Sequence, residues 1–197
     1  MAYTGTLTFS SRLTGSGTET AISPVSTGGN RTVTTSNTFD TYGRLSQVQQ
    51  ATSDAGTTCT TTTFATNTTT WLIDLPAQKS VVNVACGAAV TYPANAVSTD
   101  ATLYDGTTTI GQAPTAGNAT EHEVVASYTG QTPVWQITDT DSYDALGRVL
   151  SSTDPRTSPA RTTKTAYTPA ATGPLIQKTV TNPLGSTVFG VLTLTMS

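Results

Sequence analysis

The stretch Phe39-Asp40-Thr41-Tyr42-Gly43-Arg44-Leu45 decides the fold, and it returns almost unchanged as Tyr143-Asp144-Ala145-Leu146-Gly147-Arg148-Val149. Both copies read aromatic, Asp, two variable residues, Gly, Arg, aliphatic. An aspartate opens a tight turn by accepting hydrogen bonds from the backbone amides that follow it, and a glycine closes the turn with a positive φ. We interpret each copy as a hairpin tip, in which the aromatic residue ends one strand and Arg-aliphatic starts the next. Repeated units of this kind predict a β-hairpin array, an architecture typical of scaffolds.

The composition also favours strands. Threonine makes up about a quarter of the 197 residues, and β-branched residues are favoured in strands and disfavoured in helices. Hydrophobic residues are only 36% of the chain and charged residues 11%, so we expect a thin core, one layer behind each strand. No amphipathic helical stretch of useful length is visible. The predicted fold class is all-β, an antiparallel array of hairpins.

Charge and hydropathy exclude several classes of protein. The net charge is −3, and the nine Lys and Arg residues are spread along the chain, whereas nucleic-acid binding needs a clustered basic face. No run of 18 apolar residues is present, so we predict no membrane insertion. The start of the chain, residues 1–5, has neither the basic start nor the apolar run of a signal peptide. The chain either stays inside the cell or is a piece of a longer secreted protein.

The two cysteines, Cys59 and Cys86, do not have the short paired spacing of a zinc site. A disulfide between them and two free buried thiols both fit the sequence. A bridge would imply an oxidising compartment and would contribute about 3 kcal/mol by the loop-closure model.

Turn and strand signals divide the rest of the chain. Alternating residues predict a strand over Thr4–Ser10, and Pro76 is predicted to end an apolar strand that starts near Trp71. Residues 81–86 are predicted to form another strand. Residues 87–99 are less regular, and Pro93 within them means that any strand there would be an edge strand. The sequence Tyr104-Asp105-Gly106 reads as a degenerate copy of the aspartate turn.

The two heptads resemble the YD repeat of the Rhs family, which includes teneurin-like shells and the B and C components of bacterial insecticidal toxin complexes. The likeness extends to Asp154-Pro155, which follows the second copy, and to Asn182-Pro183-Leu184-Gly185, which is similar to an Asp-Pro-Leu-Gly turn of these repeats. Residues 68–73 and 167–170 look like linking segments of actinobacterial members. The resemblance covers about residues 20–188 of a single repeat region, 1–197, in which 1–20 and 189–197 are atypical ends.

The resemblance implies a segment of a spiral of hairpins that forms a hollow shell in a secreted or cell-surface protein. In the family such a shell encloses a toxic or signalling C-terminal domain. The expected function is structural and not enzymatic, and the expected partners are neighbouring YD repeats or an enclosed polypeptide. Two departures stand out: the copies between the two heptads are degenerate, and neither the self-cleaving core nor a toxin domain of the family is recognisable. We therefore expect a fragment of a longer shell.

The acidic residues of the motif could be catalytic carboxylates, but their turn role already explains Asp40 and Asp144, so no catalytic residue is predicted. Asp139, Asp141 and Asp144 do not match a calcium-binding loop and are interpreted as a solvated strand end. Accordingly, no metal site and no cofactor are predicted.

The remaining candidates for chemistry are also given structural interpretations. His122 could belong to a Ser-His-Asp triad, but the sequence contains no serine in a Gly-x-Ser-x-Gly motif. We interpret His122 as a surface residue or as one whose hydrogen bonds are satisfied within the fold. Arg44 and Arg148 are expected to pair with neighbouring Asp residues or turn carbonyls.

The aromatic residues carry the alternative function. Aromatic rings such as Trp71 and Trp135 can stack on the faces of sugar rings, although such residues more often fill the layer behind a sheet. The alternative prediction is therefore a β-rich adhesin module that binds carbohydrate.

Overall fold

The computed structural model describes residues 17–24, 30–171 and 173–191. Within these ranges the protein is all β, which confirms the predicted fold class. The described residues contain twelve strands that form one antiparallel sheet, and their order in the sheet is their order in the sequence. The strands are β1 (Gly17–Pro24), β2 (Asn30–Phe39), β3 (Leu45–Thr52), β4 (Gly56–Asn67), β5 (Leu72–Val82), β6 (Ala96–Tyr104), β7 (Ala119–Thr129), β8 (Thr132–Tyr143), β9 (Val149–Asp154), β10 (Arg161–Thr168), β11 (Gln177–Thr181) and β12 (Thr187–Val191).

The sheet is a linear array of hairpins. Each described strand contacts only the strands before and after it in the chain. Because consecutive strands run in opposite directions, the turns after the even-numbered strands all lie along one side of the sheet. We call this side the aspartate border; its described residues are 40–44, 68–71, 105–118, 144–148, 169–171 and 173–176. The predicted strand at Thr4–Ser10 lies outside the described residues.

The core is small and lies beside the aspartate border. Ala65, Ala77 and Tyr104 form a buried cluster, against which Leu75 and Ile110 pack. The loop 105–118 closes over this cluster, and its Pro114 is fully buried. The carbonyl of Pro114 accepts a hydrogen bond of 2.7 Å from Nδ2 of Asn67 at the end of β4. Elsewhere the strands are largely half-exposed, as the low hydrophobic content predicts.

Threonine and serine hydroxyls join neighbouring strands where apolar packing is sparse. The side chains of directly paired residues in antiparallel strands project from the same face of a sheet, so their hydroxyls can form hydrogen bonds with each other. Six such pairs are Thr18–Ser36, Thr20–Thr34, Ser80–Thr99, Ser142–Ser151, Thr153–Thr162 and Thr181–Thr187.

Two predicted strand boundaries are wrong. Pro76 does not end a strand; it lies inside β5, opposite Phe64, where the register of β4 and β5 shifts. Such an irregularity tolerates a residue that has no N–H to donate. The strand predicted at 81–86 ends at Val82, because Asn83 bonds to Asn95 and turns the chain into a loop. We call this loop, residues 83–95, the strap; the predicted edge strand at Pro93 is part of it.

Candidate functional site

The first aspartate turn is held by a single carboxylate. Oδ1 of Asp40 accepts hydrogen bonds from the amides of Tyr42 at 2.8 Å and Arg44 at 3.0 Å. Its Oδ2 accepts from Nε of Arg44 at 2.7 Å and lies 2.6 Å from Nη2. Gly43, with φ of 78°, donates its amide to the carbonyl of Asp40 at 3.0 Å. Both carboxylate oxygens are therefore engaged in closing the turn.

The second turn repeats this geometry. Oδ1 of Asp144 accepts from the amides of Leu146 at 2.9 Å and Arg148 at 3.0 Å, and its Oδ2 accepts from Nε of Arg148 at 2.6 Å. Gly147 has φ of 73° and donates to the carbonyl of Asp144 at 3.0 Å. Burial alone would raise the pKa of each aspartate, but the amides and the guanidinium outweigh burial and hold both pKa values below the ordinary range.

The aromatic and aliphatic residues of the motif face each other across the hairpin. Phe39 pairs with Leu45, and Tyr143 pairs with Val149. Immediately beyond each pair the return strand carries one extra residue, a β-bulge that bends the strand. The motif therefore specifies a bulged hairpin as well as a turn.

The same bulged pairing recurs where the sequence motif is degenerate. Phe64 of β4 pairs with Pro76, and Tyr104 of β6 pairs with Ala119, each beside a register shift. Together with one position on β10, these residues mark successive even-numbered strands near the aspartate border. We call the set the aromatic row: Phe39, Phe64, Tyr104, Tyr143 and Tyr167.

The tyrosines of the aromatic row tie each hairpin to the one before it. The hydroxyl of Tyr104 donates to the carbonyl of Pro76 at 2.8 Å. Two further bonds of this kind join successive hairpins: Tyr143 to Ala119 at 2.8 Å and Tyr167 to Val149 at 3.0 Å. In every case the acceptor is the residue that pairs with the preceding member of the row. The three tyrosines of the row therefore form a relay, in which each hydroxyl binds a carbonyl of the pair in the previous hairpin.

The two arginines extend the contact to the following hairpin. Nη1 of Arg44 donates to Oγ1 of Thr66 at 3.0 Å and to the carbonyl of Ile73, and its guanidinium lies 4.0 Å from the ring centroid of Phe64. These residues belong to the β4–β5 hairpin. Arginine therefore links the turn that contains it to the next turn of the aspartate border.

Arg148 makes the equivalent link near the end of the array. Its Nη2 donates to the carbonyl of Ala170 at 2.5 Å, and its guanidinium lies 4.4 Å from the ring centroid of Tyr167. The arginines pair with their own Asp residues, as the sequence predicts, but the carbonyls that they bind lie in the next hairpin.

A third turn has the same backbone geometry without an arginine. Oδ1 of Asn182 accepts from the amides of Leu184 at 3.0 Å and Ser186 at 2.9 Å, and Gly185 has φ of 83°. This turn follows the odd-numbered strand β11, so it lies on the side opposite the aspartate border. An amide oxygen is thus sufficient to form the turn, and the turns of Asp40 and Asp144 add an ion pair with arginine.

Asp105, in the degenerate copy, binds a distant part of its own loop. Its Oδ2 accepts from the amides of Thr115, Ala116 and Gly117 at 2.7, 2.9 and 3.0 Å, and its Oδ1 accepts from the amide of Asn118 at 2.9 Å. Burial alone would raise the pKa of Asp105, but these amides lower it to about 2. The carboxylate is the anchor of the loop 105–118.

The structure joins Cys59 and Cys86 by a disulfide, with an S–S distance of 1.99 Å. The bridge attaches the strap to β4, and the amide of Cys86 also donates to Oε1 of Gln49 on β3 at 2.9 Å. The bridge therefore fixes the strap to the sheet near its start, and the bonds between Asn83 and Asn95 join its two ends to each other.

The acidic residues of β8 are half-buried, so the predicted solvated strand end is wrong; β7 and β9 flank them on both sides. Ser152 donates to both carboxylate oxygens of Asp139, at 3.0 and 2.9 Å. Among the described residues, Oδ1 of Asp141 is shielded from solvent and accepts no hydrogen bond. Burial raises the pKa of Asp141, and the Asp139 carboxylate contributes to the increase.

His122 and the two tryptophans are placed as follows. Nδ1 of His122 lies 3.2 Å from Oγ1 of Thr102, so the ring is satisfied within the sheet. Trp71 is 69% exposed on the aspartate border, whereas Trp135 is half-buried in β8 near the opposite side. The two tryptophans therefore do not form one surface on which a carbohydrate could stack, as the alternative prediction of an adhesin would require.

In the part of the chain that the structure describes, His, Cys, Asp and Glu form no group of three or more that could hold a metal ion. The same residues include no helix with the length and hydropathy required to cross a bilayer. No model of a known protein family matches the chain, and no curated protein matches it either.

Proposed function

We propose that the chain is a structural segment of a YD-repeat shell of a secreted or surface bacterial protein, which encloses or presents another polypeptide. The observation that carries the proposal is the repeated unit of the aspartate border: an aspartate turn, an aromatic residue at a bulge and an arginine that contacts the next hairpin. This unit uses its charged residues to join hairpins. Its function is therefore mechanical rather than catalytic.

The exposed side chains of the aspartate border support a partner made of further hairpins. Trp71, Leu146 and Ile176 are 69%, 60% and 50% exposed, and they belong to three different turns of the same border. A row of large apolar residues on a protein surface is typical of an interaction site. In a shell, such a row would pack against the hairpins of the adjacent turn of the spiral.

The test is the association of the chain, measured by analytical ultracentrifugation over a range of concentrations. We expect concentration-dependent association that is weakened in the double variant Trp71→Lys/Leu146→Lys, because charge on the border prevents apolar packing. Leu184→Lys is the matched control, since Leu184 is 92% exposed but lies on the opposite side. A chain that stays monomeric, or that associates equally well in the double variant, would contradict the proposal.

A further inference from the structure

We propose that the cleft between the strap and the β7–β8 hairpin binds one ring of a neutral saccharide. The cleft has a volume of about 110 Å³, and its walls include Tyr92, Tyr128, Trp135, Gln78 and Gln131. None of the described residues that line it carries a charge. This inference concerns a ligand and is independent of the structural function proposed above.

Two pairs of the β7–β8 hairpin line the cleft with apolar side chains. Tyr128 pairs with Pro133, and Val125 pairs with Trp135, across a register shift between Val125 and Ser127. Paired residues of antiparallel strands project from the same face of a sheet, and so do residues two apart on one strand, such as Pro133 and Trp135. The rings of Trp135 and Tyr128 therefore lie on the same face and both line the cleft. The bulge allows both pairs to face the strap despite their spacing.

The strap contributes Tyr92 to the lining of the cleft. Tyr92 stacks on Tyr128 with ring centroids 5.0 Å apart and an interplanar angle of 15°. The position of Tyr92 is set by its neighbours, since the amide of Thr91 donates to Oδ1 of Asn95 at 2.9 Å and Nδ2 of Asn95 donates to Asn83 at 3.0 Å. The disulfide adds a covalent attachment. A wall that is ordered before the ligand arrives reduces the entropy lost on binding.

The chemistry of the walls selects the ligand. The indole ring of Trp135 offers a face against which the C–H bonds of a pyranose can pack, and the two glutamine amides can donate to and accept from its hydroxyls. Without a charged side chain in the wall, an ionised ligand would lose hydration without gaining an ion pair. Pockets for drug-sized ligands are about 300 Å³ or more, so this cleft suits a single sugar ring, such as the terminal residue of a glycan. Its small contact area predicts weak binding, with a dissociation constant on the order of 1 mM.

The test uses the variant Trp71→Phe, because the chain has two tryptophans and this change leaves Trp135 as the only one. The variant is titrated with the methyl glycosides of glucose, galactose and mannose and with N-acetylglucosamine, and tryptophan emission is recorded. We expect a saturable change with at least one of these sugars. Glucuronic acid, an ionised sugar, should cause none.

A second measurement, saturation-transfer NMR on the full chain, separates the cleft from other surfaces. Gln131→Ala and Trp135→Ala should each weaken the binding of the sugar at least tenfold, whereas Leu184→Ala should leave it unchanged. Gln131 is exposed at the hairpin tip, so its variant should fold normally. The inference is overturned if no sugar in the set alters the emission, or if Gln131→Ala binds the sugar as well as the unchanged chain does.

Discussion

The two carboxylate oxygens of each motif aspartate accept hydrogen bonds from different groups. Oδ1 accepts from the backbone amides of the turn, and Oδ2 accepts from the arginine side chain. Asn182 separates these two roles, because it forms the turn without a charged partner. The comparison shows which part of the motif makes the bend and which part makes the link between hairpins. Asp supplies both, and this explains why Asp and Arg occur together in both heptads.

This division predicts a graded response at Asp40. Asp40→Asn should keep the turn but lose the ion pair, at a cost of about 1 kcal/mol, whereas Asp40→Ala should lose both and cost about 3 kcal/mol. The free energy of unfolding is measured in urea by circular dichroism. Asp54→Ala is the control: its pair with Arg31 is exposed, so we expect a loss of about 0.5 kcal/mol or less. Equal costs for Asn and Ala would contradict the assignment of roles.

Phe64 is the residue at which the relay of tyrosine hydroxyls is interrupted. By the geometry of the other members, a hydroxyl at this position should reach the carbonyl of Leu45, which is paired with Phe39. We expect Phe64→Tyr to stabilise the protein by about 1 kcal/mol. The reciprocal change Tyr104→Phe removes the bond to Pro76 and should have the opposite sign and a similar size.

A thermal melt of both variants measures this pair of effects. If Phe64→Tyr lowers the melting temperature while Tyr104→Phe also lowers it, the acceptor carbonyl is not available at the first position and the relay does not extend to it.

At the scale of the element, the loop 105–118 depends on a single ionised group. The pKa of Asp105 is lowered from its ordinary value of 3.8 to about 2. A carboxyl whose pKa is lower in the folded state stabilises the fold above its unfolded pKa, and this contribution is lost as the pH falls through the folded pKa. The loop should therefore remain ordered at pH 3 and open near pH 2.

This pH dependence is measured from the amide NMR signals of residues 115–118 during an acid titration. The variant Asp105→Asn should show no transition near pH 2, because it has no charge to lose. A transition of the unchanged chain that is centred near the ordinary carboxyl value would show that the four amides do not hold the carboxylate.

The elements also show how far sequence reasoning extends. The hairpins at 39–45 and 143–149 and the all-β class could be predicted, because Asp, Gly and β-branched residues act locally. Asp105-Gly106 indicates the turn after Tyr104 even though no arginine follows. Phe64 is followed by neither Asp nor Gly-Arg, and an aromatic residue near the end of a strand is the available signal there. The carbonyls bound by Arg44 and the amides bound by Asp105 could not be predicted, because they are brought close only by pairing between strands.

On the scale of the whole molecule, the absence of contacts between non-neighbouring described strands determines how the protein unfolds. In such arrays the free energy of unfolding is close to a sum of local contributions, so a local loss of stability does not spread far along the array. Tyr167→Phe removes the bond from β10 to Val149. We expect it to accelerate hydrogen exchange in β9–β11 and to leave β4–β6 unchanged.

Hydrogen exchange followed by mass spectrometry of peptide fragments measures this difference. Tyr104→Phe serves as the matched variant, with acceleration expected in β5–β7 and none in β10–β11. Uniform acceleration over all strands in either variant would mean that the sheet unfolds as one cooperative unit.

The acceptor of each tyrosine hydroxyl is a main-chain carbonyl of the preceding hairpin, and every residue type has such a carbonyl. A newly duplicated pair of strands would therefore find its docking point already present, whatever the side chains of the copy before it. Lengthening or shortening of the array is therefore compatible with this connection between hairpins, because the bond does not depend on which residue type supplies the carbonyl.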